Sequence, residues 1–348
     1  MQTDNTSSRE HGIGKILYGF YTRFTYFLPI LVSNYKFRHS LLLPLYKEKA
    51  EVVHYKDENK KVIYMVINES TFSGGLSDRL RAIVSVYQEC KRQGLDFYIN
   101  FETPSLIDYL QPNEYDWRIT EDEICYDPKE CYPCTILTYH TNIKDPYQCF
   151  VQRTLLRYFL KKNYRQIHVY SNMVTSDAVY GKLFKELFRP TDDLQKLIYY
   201  HLKQIGGRNN YISCTFRFRQ LLGDFKEGGE ILLKEEKEKY IQRCLVTVAH
   251  LHEQYPDERI LITSDSNTFL KRVSTLDNIY VIPGKVVHIG FTYNADRQVY
   301  MKSFVDYYML SYARIVFLVR DKLMYHSGFP YRAALLNDAE YLEIMLSQ

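Results

Sequence analysis

The sequence predicts an α/β fold, built as two Rossmann-like domains in tandem that face each other across a cleft. Three observations carry this expectation. The chain has 348 residues, more than one hydrophobic core usually supports, so two domains are the default. In both halves short, uncharged runs of branched and aromatic residues alternate with amphipathic helical runs, the order that builds parallel sheets. Glycine- or serine-bearing turns join strands to helices, and the carboxyl ends of such strands are where these sheets hold ligands.

Residues 1–60 read as an aromatic and basic leader. They open on polar residues, without the basic-then-apolar order of a signal peptide. The most apolar stretch, Phe20 to Val32, contains Arg23 and Pro29 and is too short to span a bilayer. The mixture of Lys, Arg and aromatics from Lys15 to Arg38 suits packing on the body of the protein, or peripheral contact with a membrane surface.

The first domain is expected over residues 61–205. Val62 to Ile67 reads as a buried strand, Asn68 to Gly75 as a turn, and Leu76, Leu80, Ile83, Val84 and Tyr87 as the apolar face of a helix stopped by Gly94. Phe97 to Phe101 is the next strand and Ser105 to Leu110 a short helix. Gln111 to Pro146 is polar and irregular, an insertion. A helix from Tyr147 to Leu160, a strand near Ile167 to Tyr170, and helices over Ala178 to Leu187 and Leu194 to Ile205 follow. Gly206 to Asn210 reads as the linker. In the second domain, residues 211–348, strands are expected at Tyr211 to Phe218, Ile260 to Thr263, Tyr280 to Ile282 and Ile315 to Val319. Helices are expected at Lys234 to Glu253, Thr268 to Val273, Val299 to Tyr312 and from Ser327 through Leu336.

Composition excludes several classes. With 45 basic and 41 acidic residues the net charge is +4, too balanced for a protein that grips nucleic acid. Seven cysteines are too few, and odd in number, for a disulfide framework. The Cys131-Tyr132-Pro133-Cys134 motif lacks the second close pair a zinc site prefers, so reduced structural thiols, no metal site and a cytoplasmic location are expected. The 33 Tyr and 19 Phe suit core packing as well as stacking on sugars or bases.

Four strand-end clusters are candidates for chemistry. Gly74-Gly75-Leu76-Ser77-Asp78-Arg79 opens a helix; it either lets backbone approach a ligand or is a tight turn that needs glycine. Arg217 and Arg219, beside Gly223-Asp224-Phe225, are expected on one face of a strand end, where a diphosphate would satisfy both; ion pairs with Asp224 or Asp306 are the structural alternative. Ser264-Asp265-Ser266 either caps the following helix or hydrogen-bonds a ribose or base. Ser327-Gly328-Phe329, with Arg332 one turn on, either caps a helix or offers amides to a phosphate. Three such sites in one domain outline a nucleotide-diphosphate pocket.

The order of these motifs, with Asp306, Leu310 and Ser311 as an Asp-x-x-x-Leu-Ser run, resembles the GT-B fucosyltransferases, the α1,2-, α1,6- and protein O-fucosyltransferases, and bacterial members used in surface-polysaccharide assembly. The resemblance spans about Val62 to Leu336. It implies a metal-independent, inverting transfer of a sugar from a GDP-sugar co-substrate to a glycan acceptor, with no other cofactor. It implies that Arg217 holds the β-phosphate, with Arg219 as substitute. It places Ser264 and Asp265 near the guanosine, Ser327, Gly328 and Phe329 around the diphosphate, and Gly74 and Gly75 on the acceptor side. Thr215 stands where the family often has His. Asp78, Glu69 and His140 are the candidate general bases.

Overall fold

The computed structural model describes residues 27–51, 61–71, 74–102, 104–137, 146–173, 177–224, 229–287, 289 and 296–346. His140 and Phe225 lie outside them, as do residues 1–26 of the leader. The described residues fall into two compact units. One draws on Met1–Ser73, Arg79–Phe101 and Trp117–Ser176; the other on Gly74–Asp78, Glu102–Asp116 and Asp177–Gln348.

The first unit is built on a parallel sheet of β1 (Val62–Ile67), β2 (Asp96–Phe101), β4 (Cys131–Ile136) and β5 (Gln166–Ser171), in the order β2-β1-β5-β4. The short β3 (Leu110–Pro112) lies elsewhere, paired antiparallel with β6 (Phe188–Pro190) in the second unit. Every residue of β1 and β5 is buried, as expected of central parallel strands. Helix α1 (Leu43–Ala50) sets Tyr46 into the core, where Leu42 joins it beside Val62, Tyr64, Val66 and Tyr170. The described part of the leader therefore packs on the protein. Helix α2 (Leu76–Gln93) follows β1 and brings Tyr87 against Phe97, with ring centroids 5.5 Å apart. Helix α3 (Pro146–Leu160) precedes β5.

β4 corrects the expectation of an irregular insertion over residues 111–146. Pro133 sits inside a strand because β4 is a sheet edge, where a missing N–H breaks no ladder. The free side of that edge is met by Asn34, whose Oδ1 accepts from the Thr135 amide at 2.7 Å. Cys131 and Cys134, three apart on a strand, point to opposite faces and cannot chelate or bridge. Both are buried free thiols, and Cys131 meets Cys125 instead.

The second unit holds an all-parallel sheet in the order β11-β10-β7-β8-β9: β7 (Tyr211–Phe216), β8 (Arg259–Ser264), β9 (Ile279–Tyr280), β10 (Ile315–Arg320) and β11 (Glu340–Met345). β11, an exposed edge strand of mixed polarity, is an element the sequence pattern does not announce. Helices α4 (Asp177–Leu187) and α5 (Asp192–Ile205) were expected in the first domain, but they lie here. The Tyr180 hydroxyl bonds that of Tyr307 at 2.8 Å, and Gly181 lies against the Leu335 carbonyl, closing α4 onto α8 (Arg297–Ser311) and onto the turn at Leu335. Gly206–Asn210 is accordingly no linker. The amides of Gly206 and Gly207 both reach the Leu202 carbonyl, at 3.2 and 2.8 Å, and left-handed backbone at both glycines closes the C-terminus of α5. Helices α6 (Lys234–Gln254), α7 (Asn267–Val273) and α9 (Gly328–Ala334) complete the unit.

No helix of the described residues is long and apolar enough to cross a membrane.

Candidate functional site

In the second sheet β8 and β9 lie to one side of β7, and β10 and β11 to the other, so the connections diverge between β7 and β10. Ligands of open α/β sheets sit at the carboxyl ends beside such a switch point. Four of the predicted clusters converge around those ends.

β7 stops at Phe216, two residues earlier than expected, so Arg217 to Arg219 form a loop rather than alternating on a strand. The loop is shaped by one side chain. Asp265, just past β8, accepts from the Phe218 amide through Oδ1 at 2.8 Å, and through Oδ2 from the Arg219 amide at 2.7 Å and Arg217 Nη1 at 2.8 Å. The Asp265 side chain is 2% exposed and that of Arg217 16%. Burial raises the Asp265 pKa from its ordinary value, and Arg217 and the two amides act against that shift. Arg219 has φ +55°, the left-handed region that non-glycine residues seldom enter, and its guanidinium lies 5.6 Å from the Tyr325 ring. The Tyr325 amide in turn donates to the Arg217 carbonyl at 3.1 Å, tying the loop after β10 to the loop after β7.

The arginine's partner is thus neither of the two carboxylates expected. Asp306 pairs with Lys302 one turn earlier on α8, at 2.8 Å, both buried; burial raises the Asp306 carboxyl against the pull of Lys302. Asp224 accepts from Ser266 Oγ at 3.0 Å and from the Thr268 amide at 2.6 Å. Ser266 caps α7, accepting from the Phe269 amide at 3.1 Å, and Ser264 Oγ accepts from the Ser266 amide at 3.1 Å. The Ser264-Asp265-Ser266 cluster is therefore a brace in which each member holds backbone. Thr215 shares a hydroxyl hydrogen bond with Thr263 across β7 and β8 at 2.8 Å.

Ser327 caps α9 through the Phe329 amide, at 3.3 Å, and the Phe329 ring lies 5.1 Å from that of Tyr307. Arg332, 1% exposed, is ion-paired with Asp177 and flanked by the Tyr180 and Tyr331 rings, so it fastens α9 to α4. Gly74 to Asp78 belong to this same unit. Ser77 Oγ donates to the Gly328 carbonyl at 3.3 Å, so the early glycine turn meets the Ser-Gly-Phe helix start directly. Gly74 has φ +79°, and a Cβ there would stand 2.7 Å from Asp78 Oδ2. Gly75 accepts the Asp78 amide at 3.1 Å. Arg79 is buried in the first unit, 5.5 Å from the Phe101 ring, and Glu69 is exposed.

Three contributors escaped sequence reasoning. Asp177 has no local pattern linking it to Arg332, far along the chain. Lys302 is one helical turn from Asp306, a spacing that was visible. Asp321 accepts from the Tyr240 hydroxyl at 2.7 Å and the amides of Leu323 and Met324 at 2.8 and 3.0 Å; an aspartate closing a strand is a turn signal. Among the described residues no three His, Cys, Asp or Glu side chains group as metal ligands would.

No protein-family model matches the chain, and no curated protein matches its sequence. Solved structures match its fold. A mutant of Arabidopsis thaliana FUT1 in complex with GDP aligns with a TM-score of 0.53 at 11% identity, over 93% of this chain and 80% of that one. Fucosyltransferase NodZ from Bradyrhizobium aligns at 0.50 and 13% identity, over 80% and 93%. NodZ α-1,6-fucosyltransferase co-crystallised with GDP aligns at 0.50 and 14%, over 80% and 93%. The fold is that of the GT-B fucosyltransferases.

Proposed function

We propose that the chain is an inverting glycosyltransferase that transfers fucose from GDP-fucose to a glycan hydroxyl, in polysaccharide or glycoconjugate synthesis of a bacterial type. The carrying observation is Arg217: a partly exposed guanidinium at the carboxyl end of β7, beside the switch point, anchored from below by a buried carboxylate. The FUT1 mutant and one of the NodZ structures that share the fold are complexes with GDP.

In the reaction the bond from the sugar C1 to the β-phosphate oxygen breaks, and its electron pair leaves with GDP. The acceptor oxygen bonds C1 from the opposite face and gives its proton to a carboxylate, with Asp78 and Glu69 the described candidates. The barrier lies in charge growing on the departing diphosphate, and a fixed cation aimed there lowers it most. Arg217, with Arg219 and the Ser327-Gly328-Phe329 turn, supplies that positive field. We place the enzyme in the cytoplasm, where the aromatic and basic leader, besides packing on the protein, leaves room for peripheral contact with a membrane surface.

GDP is expected to bind at least tenfold more tightly than UDP by calorimetry, about 1.4 kcal/mol. Equal affinities remove the GDP reading. Activity is expected to persist in EDTA; loss in chelator that manganese or magnesium restores would replace the arginine mechanism with a metal-assisted one.

A further inference from the structure

We infer that Asp265 is a positioning residue: it holds the Arg217 guanidinium and the backbone of residues 217–219 in the geometry that receives the donor's diphosphate, and it does not read the base. This rests on the donor-site reading of Arg217.

Three donors converge on one carboxylate: the Phe218 amide, the Arg219 amide and Arg217 Nη1, all at 2.7–2.8 Å. Oδ2 takes two of them and Oδ1 the third, so the edge on which a guanine would place its N1–H and amino group is already engaged. The backbone conformation points the same way. Arg219 sits at φ +55° where glycine would be unstrained, and such a conformation persists when its surroundings over-determine it. Asp265 supplies that restraint through the Arg219 amide. A guanidinium preorganised in this way spends no reorganisation when the leaving phosphate gathers charge. Asp265 itself is nearly sealed from solvent, whereas Arg217 is not, so the carboxylate acts through the arginine rather than on the ligand.

The test is a double-mutant cycle on GDP binding by calorimetry, with UDP in parallel and melting curves as a fold check. Arg217→Ala is expected to weaken GDP at least tenfold. Asp265→Asn should weaken it by a comparable factor, because an amide in its place confronts an N–H with an N–H. In the double variant the loss should equal that of Arg217→Ala alone, and Asp265→Asn should leave the GDP-to-UDP ratio unchanged. Losses that multiply, or a ratio that collapses in Asp265→Asn, would overturn the positioning role while leaving the donor site in place. An Arg217→Ala protein with wild-type GDP affinity would overturn both. Should Asp265→Asn not fold, Asp265→Glu keeps the charge and displaces it by one methylene; wild-type GDP affinity in folded Asp265→Glu would equally overturn the inference.

Discussion

Both sheets bury polar side chains, and they do so differently. Beneath the first, Tyr46, His168, Tyr170 and Gln166 form a chain of neutral groups: the Tyr46 hydroxyl meets His168 Nδ1 at 2.7 Å and the Tyr170 hydroxyl at 3.0 Å, and His168 Nε2 meets Gln166 Oε1 at 2.9 Å. A carbonyl oxygen can only accept, so Nε2 carries the proton and Nδ1 accepts from tyrosine. Burial lowers the His168 pKa to about 3, which keeps the ring neutral. In the second unit the polar groups at the strand ends are ions, Arg217 and Asp265, with the arginine reaching solvent. Neutral groups can be buried cheaply once each has a partner, whereas a buried charge needs an opposite charge or comparable hydrogen-bond partners. The contrast is between a chain of neutral partners and an ion pair, and Arg217 is the ion that the proposed donor would meet.

The largest effect should come from breaking the charged cluster. Arg217→Ala is expected to cut transfer by roughly two orders of magnitude with the melting temperature little changed, the scale of losing one preorganised charge stabiliser. Wild-type turnover in a folded variant would make the second unit's ions as structural as the first unit's tyrosines.

Next in size is the seating of α4. Gly to Ala inside a helix normally gains about 1 kcal/mol of stability. At Gly181 the added Cβ would stand 2.1 Å from the Leu335 carbonyl oxygen, so Gly181→Ala should instead lose about 2 kcal/mol in urea unfolding. A gain would show that α4 does not seat Gly181 against the Leu335 carbonyl.

The effect that sets in gradually, with no substitution in the second unit, is the acid response of the neutral chain. Below pH ~6.5 the unfolded His168 takes up a proton that the folded one refuses until about pH 3. Its contribution to stability is therefore complete above pH ~6.5 and should be lost at about 1.4 kcal/mol per pH unit on acidification. Urea midpoints of wild type and His168→Gln, compared from pH 7.5 to pH 4.5, should converge as the pH falls. Parallel slopes would show that His168 already carries its proton in the fold.

The element order was read from residues 62–110 and 147–336 because periodicity and flanking glycines are local signals; β1, α2, β5, α6, β8, α8 and β10 stand within a few residues of their expected bounds. The strand β4 was not, since Pro133 and its polar surroundings mark a loop unless a sheet edge is available to take it. Likewise Arg217, Ser264, Asp265 and Ser327 could be singled out by residue type at strand ends, but not matched to one another.

What the sequence determined by itself is the set of strand-end turns and the kinds of side chain they carry, because turns, caps and amphipathic helices depend on residues a few positions apart. Tertiary structure alone decided the pairings: Asp265 with Arg217 across 48 positions, Ser77 with Gly328 across 251, Asp177 with Arg332 across 155. Such partners are chosen by which strands lie adjacent and which helices close on them. Several carboxylates in the chain could neutralise a given arginine, and only the register of β7 against β8 brings one of them within 2.8 Å.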